Sequence, residues 1–251
     1  MLETATSLIT AHLVADFILQ GEWLIQRKAR FPYLLLHGGV VAGTAAVTLG
    51  LWSWAAAAAL AVIAGTHLLI DCLKIRYGSD SLSAFLVDQL AHFLVIAAVV
   101  ATEPRLSALG VWSALPGDKQ AMLYAAMTFV GGAIVAVPLG GILIKKALVD
   151  LAPSTPSSSG TATTPIAGMM KGGKYIGWLE RGLTLLLTLT GRVEGVGFLL
   201  AAKSILRLGD IKTETERHQA EYIIIGTFSS FGWGLAVALL TAKLIASWHA
   251  F

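Results

Sequence analysis

Three stretches of this sequence carry a histidine and an aspartate four residues apart: His12-Leu-Val-Ala-Asp16, His67-Leu-Leu-Ile-Asp71 and Asp88-Gln-Leu-Ala-His92. On a helix that spacing sets both side chains on one face, about one turn apart. A chain of this composition would show roughly 0.3 such pairs by chance, so three of them call for a reason. Imidazole nitrogens and carboxylate oxygens together are the ligand set of zinc, manganese and iron. Three Asp and three His exceed what one tetrahedral ion takes, so the set suits a two-metal site with mixed ligation; the expected cofactor is a divalent metal, one or two zinc ions before manganese or iron. His37 lies seven residues after Arg30 and falls at a similar depth, which adds a seventh candidate ligand. The expected metal ligands are therefore His12, Asp16, His37, His67, Asp71, Asp88 and His92. Asp16, Asp71 and Asp88 are also the carboxylates able to move a proton. The same pairs can be read as a proton or ion pathway, or as hydrogen bonds that only join helices.

The elements that carry these residues are set by composition. Of 251 residues, 56% are hydrophobic and 13% charged, with mean hydropathy +0.74. A soluble domain carries about 25% charged residues, so this chain cannot clothe itself in water. Apolar runs near 20 residues, the length of a membrane-crossing helix, recur at Ala5–Ile25, Tyr33–Trp52, Trp54–Leu73, Leu82–Ala101, Ala121–Ile144 and Glu221–Ser247. Between the last two, residues 175–208 are apolar but interrupted at Gly191-Arg192-Val193-Glu194, which reads as two tilted helices or a re-entrant pair. The expectation is an all-α, polytopic transmembrane helix bundle of six to eight segments.

The segment DLAPSTPSSSGTATTPIAGMMKGGK, residues 150–174, has too little apolar surface to order itself and reads as a flexible linker. It separates a five-helix membrane domain, residues 1–149, from C-terminal membrane segments, residues 175–251. Twelve basic residues fall in one set of loops (Arg27, Lys28, Arg30, Lys74, Arg76, Lys145, Lys146, Lys171, Lys174, Arg207, Lys212, Arg217) and three in the other (Arg105, Lys119, Arg192). The bias puts the first set and the linker in the cytoplasm and the N-terminus outside. All three His/Asp pairs then lie in the cytoplasmic half of the bilayer. The first residues lack the basic and small-residue marks of a cleaved leader and read as a retained first helix. A single cysteine, Cys72, excludes a disulfide framework or Cys-based zinc site. No basic, aromatic-interleaved run suggests a nucleic-acid partner.

The strings HLVADFILQ, THLLIDCLK and DQLAH together resemble the bacterial domain-of-unknown-function 3307 family of membrane proteins, over about Ile9–Phe93. The string from Gly191 to Phe231 resembles the extension carried by longer members. The resemblance implies a multi-pass protein of the bacterial inner membrane and supplies no activity. In the style of its site alone, the chain is also similar to membrane-bound metal-dependent hydrolases and alkaline ceramidases.

These readings lead to an expected function. A metal-dependent enzyme, most simply a hydrolase using metal-activated water on a lipid or lipid-linked substrate, would need such ligands inside the bilayer. Gln20, one turn after Asp16, and Gln89, beside Asp88, are candidate substrate contacts. Lys203 and Arg207, on one helix face, are candidates for an anionic headgroup, with pairing to Glu221 or Glu194 as the alternative. Lys74 reads as a snorkelling or phosphate-binding residue, and Glu22 as an interfacial charge before a general base. The competing expectations are a metal-ion or proton transporter using the same ligands, and a non-catalytic protein with a structural metal.

Overall fold

A computed structural model describes residues 1–51, 54–149, 167–207 and 214–248; the side chains of 54–56, 167–172, 206–207 and 214–221 lie outside that description. The described residues contain helices and no strand. In order these are α1 (Leu2–Val14, prolonged by a π turn Ala15–Leu19), α2 (Glu22–Ile25), α3 (Phe31–Leu49), α4 (Trp54–Tyr77), α5 (Leu82–Thr102), α6 (Gly117–Ile134), a π turn Val135–Leu139, α7 (Gly140–Ala147), α8 (Ala167–Leu189), α9 (Glu194–Arg207) and α10 (Glu214–Trp248). Six helical stretches are long and apolar enough to cross a membrane: Leu2–Leu19, Phe31–Leu49, Ala57–Tyr77, Leu82–Thr102, Gly117–Ala147 and Tyr222–Trp248. The protein is a polytopic membrane helix bundle.

Local signals set the ends of these helices. Pro32 sits in the first turn of α3, where its missing N–H costs nothing. Gly50 closes α3 with φ of 67°, a left-handed conformation that suits glycine. The Trp112 indole then donates to the Val47 carbonyl at 2.8 Å, satisfying one group the helix end leaves open. Ser81 caps α5, its hydroxyl accepting from the Ala84 N–H at 3.2 Å.

The bundle inverts the soluble pattern. Leu69, Leu73, Leu86, Val87, Leu90 and Leu94 on α4 and α5 are exposed. Among the described side chains of α4, only His67 and Asp71 are buried, and α5 buries Asp88, Gln89, His92 and Val100. Lipid solvates the leucines as well as a core would, so those two helices spend their inward faces on polar groups.

The chain forms two compact units, one of Met1–Ile134 with Lys243–Phe251, the other of Val135–Ala242. The sequence reading placed its boundary at residues 149/150 instead. In the first unit α1 packs on α3, α5 and α6, and α4 packs on α3 and α5. Leu8, Ala11, Ala45, Leu49, Leu51, Val100 and Leu106 form its apolar core. Gly38 brings α3 against α4, since a Cβ there would lie 2.7 Å from Leu68 Cδ1. In the second unit, α8 and α9 pack as a hairpin turning at Gly191, whose φ is 71°. Helix α9, at 14 residues, spans only about 21 Å against a hydrocarbon core of about 30 Å. Neither α8 nor α9 is among the six crossing helices. Of the expected linker, residues 150–166 lie outside the described residues, while α8 already begins at Ala167.

Candidate metal centre

Four elements of the first unit converge on one polar knot. The α1 helix brings His12, its π turn Asp16, α3 brings His37, α4 brings His67 and Asp71, and α5 brings Asp88 and His92. A π turn widens a helix by one residue and often marks a functional position. Here it carries Asp16, in the step between His12 and the helix end. His12, His37, His67, Asp71, Asp88 and His92 are each less than 9% exposed.

The three pairs do not close on themselves. Within them the nearest nitrogen–oxygen distances are 3.9 Å for His12–Asp16, 3.5 Å for His67–Asp71 and 3.9 Å for His92–Asp88. The shorter contacts run between helices. His37 Nε2 lies 3.0 Å from His67 Nε2, 3.3 Å from Asp16 Oδ1 and 3.5 Å from Asp71 Oδ2. His67 Nε2 lies 3.2 Å from Asp16 Oδ1 and 3.5 Å from Asp71 Oδ2. A tetrahedral zinc with ligands at about 2.0–2.1 Å has edges of about 3.3–3.4 Å. Five of the six edges joining these four atoms fall within a few tenths of an ångström of that value.

The proton inventory of the knot points the same way. The Gln20 amide donates to His37 Nε2 at 3.2 Å, which leaves that nitrogen without its own proton. The carboxylates only accept. Asp16 Oδ1 is buried with no hydrogen bond of acceptable geometry, while Asp71 Oδ2 lies 2.6 Å from the Lys28 ammonium. Gln20 supplies a proton to His37 Nε2 and Lys28 a cation to Asp71, so Asp16 Oδ1 is the buried oxygen left to take a proton from His67 Nε2 or a bound cation.

Around this knot the remaining groups form a second layer. The His92 Nδ1–H donates to the Asp88 carbonyl at 2.8 Å, leaving Nε2 without a partner. The His12 Nε2–H donates to Gln89 Oε1 at 3.3 Å, and Gln89 Nε2 donates to Asp88 Oδ2 at 3.0 Å. Gln20 and Gln89 thus contact the candidate ligands themselves. Asp71, Asp88 and His92 form a further group whose ligand atoms lie within 4.8 Å of one another, as do His12, Asp16 and His67.

Two lysines complete the site, and one was not foreseen as part of it. Lys28, which the sequence placed at the membrane surface, is 9% exposed with Nζ 2.6 Å from Asp71 Oδ2. Lys74 Nζ lies 2.7 Å from Asp88 Oδ2 and above the Phe85 ring. Three carboxylates against two ammonium groups leave one negative charge uncompensated. Asp16 is the carboxylate with imidazoles alone around it.

A cavity of about 30 Å³ adjoins the centre, closed at one end by His12, His67 and His92 and walled by apolar side chains of α1, α3, α4 and α5. The other candidates lie in the second unit. Lys203 forms an ion pair with Glu180 on α8 and lies 5.9 Å from the Phe231 ring. Arg207 is the last residue of α9, and its side chain lies outside the described residues, as does that of Glu221.

Comparison with known proteins bears on the first unit. Residues 5–113 match the sequence profile of a family described as protein of unknown function (DUF3307). Over that stretch, a little under half of its length, the chain is similar to the DUF3307 family. The matched DUF3307 region holds all seven candidate ligands, both glutamines and both lysines of the centre. No curated protein and no solved structure matches the chain.

Proposed function

We propose that this protein is a membrane-embedded metal-dependent hydrolase of the bacterial inner membrane, acting on a lipid or lipid-linked substrate. The observation that carries the reading is that Asp16 Oδ1 and Asp71 Oδ2 each lie 3.2–3.5 Å from both His37 Nε2 and His67 Nε2, themselves 3.0 Å apart. These four would hold one divalent cation, zinc first, with manganese or iron as alternatives. His92, Asp88 and Asp71 offer a second position. A bound cation would acidify a water molecule and polarise a carbonyl or phosphoryl oxygen. The protein's own groups do the rest. Asp88, its Oδ1 without a hydrogen bond, is the base that takes the proton, and Lys74 and Gln89 hold its other oxygen. Lys28 fixes Asp71 and offsets its charge.

The excess of basic residues in one set of loops supports a centre on the cytoplasmic side, with the N-terminus outside. A transporter using the same ligands needs a polar way onward. Away from the cytoplasmic loops the helices instead present Leu8, Ala45, Leu49, Leu51, Val100 and Leu106, packed as an apolar core. That closed end favours an enzyme over a conduit.

Metal analysis of detergent-purified protein tests the proposal. The expected result is about one divalent ion per chain, lost in His67→Ala while the helical content is kept. Absence of a stoichiometric transition metal, or metal content unchanged by His67→Ala, overturns it.

A further inference from the structure

The cavity beside the histidines has a direction. From His12 it passes Ala11 and Leu8 on α1; from His67 it passes Thr66 and Ile63 on α4; from His92 it passes Val95, Ile96 and Val99 on α5. On α3 it continues past Val41 and Ala45. Apart from Ile70, which lines the cavity on the Asp71 side of His67, these residues lead away from the end that carries Lys28, Lys74 and Asp88. From His92 to Val99 the path is about 10 Å long. Its walls are almost wholly apolar, its closed end is three imidazoles, and Ile63, Thr66, Val95 and Val99 are part-exposed along the α4–α5 seam. The seam lies within two membrane-crossing helices, so what meets it is hydrocarbon.

We infer that this crevice seats the alkyl chain of the substrate, entering from the bilayer between α4 and α5. The substrate class is a lipid whose reacting polar group lies only a few bonds from its chain. The volume, about 30 Å³, exceeds the 10–15 Å³ that one water needs and suits a single narrow chain, not a headgroup. Burial of each methylene there gains little over lipid, so the crevice orients the chain instead of binding it tightly. With the chain running along the helices, its polar end meets His12, His67 and His92, beside Asp16 and Asp88. The inference rests on the hydrolase reading for the identity of the chain as substrate; the crevice's occupant can be tested alone.

The test uses full-length protein in nanodiscs of phosphatidylethanolamine and phosphatidylglycerol carrying a diazirine on the acyl chain near the carbonyl. Photo-adducts are mapped by peptide mass spectrometry, and metal content is measured on the same sample. Adducts are expected at Ile63, Thr66, Val95 and Val99 as well as at the lipid-facing Leu69 and Leu90. Val95→Trp, which fills the crevice, should cut the adducts at Ile63 and Thr66 about tenfold relative to Leu69. Leu94→Trp, one residue away on the exposed face, should leave them unchanged. Labelling of Leu69 and Leu90 without labelling of Ile63 or Val99, or crevice labelling indifferent to Val95→Trp, overturns the inference. If Val95→Trp fails to fold, Ile63→Trp with adducts read at Val99 takes its place. Crevice labelling in a protein without metal would sink the metal reading and leave the crevice standing; metal without crevice labelling would do the reverse.

Discussion

Each unit buries a cluster of charged groups among apolar helices, and the two are built on opposite terms. In the first, imidazoles and carboxylates crowd together with too few lysines to pair every carboxylate. His37 Nε2 and His67 Nε2 lie 3.0 Å apart and each is 3.2–3.5 Å from Asp16 Oδ1 and Asp71 Oδ2, and the carboxylates outnumber the lysines by one. In the second, the guanidinium and indole donors meet acceptors. Arg181, 4% exposed, donates through Nε and Nη2 to the Val137 carbonyl at 3.2 and 3.0 Å, and through Nη1 to Ser230 Oγ at 3.0 Å. Trp233 donates to the Val135 carbonyl at 2.9 Å. Both carbonyls belong to the π turn at Pro138, a residue that disrupts the helical hydrogen-bond ladder. Glycines make room for the guanidinium, since a Cβ on Gly141 would lie 2.9 Å from Arg181 Nη2 and one on Gly177 3.1 Å from Nη1. A buried charge alone therefore says little about function. What separates a site from a brace is whether the polar atoms around it already satisfy one another.

That contrast can be broken most forcefully by removing a ligand. His67→Ala or Asp16→Asn should abolish stoichiometric metal binding, measured by elemental analysis, whereas Arg181→Met and Lys203→Met should leave metal content at the wild-type level. Next in size, Gln89→Ala should weaken metal affinity by about 10–100-fold in a chelator competition, because Gln89 holds the candidate ligands His12 and Asp88 in place. Arg181→Met should destabilise the protein by about 1–3 kcal/mol in a denaturant titration, the cost of leaving the Val137 carbonyl and Ser230 without their donor. Lys203→Met with Glu180→Gln should be the mildest change, about 1 kcal/mol or less, since removing both partners strands no buried charge. A metal loss in Arg181→Met equal to that in His67→Ala would erase the distinction between the two clusters.

Much of the bundle was legible in the sequence, because a membrane span announces itself by unbroken apolar length. The His/Asp pairs were legible for a related reason: spacing of four residues fixes a shared helix face whatever the tertiary fold. Spacing cannot say which atoms meet across helices. The shortest contacts of the centre, His37 to His67 and His67 to Asp16, join residues with no periodic relation. Lys28 was missed as part of the site because it follows a short helix at the membrane surface, where a basic residue is ordinary. The π turn at Asp16 has no marker either, as neither Pro nor Gly interrupts Ala15–Leu19. Lys203 and Arg207 looked like a headgroup site because they share a face; Glu180, which pairs with Lys203, sits on the preceding helix and was outside the pairs considered.

The central claim is that His37, His67, Asp16 and Asp71 surround a single ion. X-ray absorption at the zinc edge of zinc-loaded, detergent-purified protein tests it most directly. The account predicts a four-coordinate shell of nitrogen and oxygen at about 2.0–2.1 Å, with the outer-shell scattering of two imidazoles that falls to one in His37→Ala. A six-coordinate oxygen shell, or an imidazole signal indifferent to His37→Ala, would contradict it.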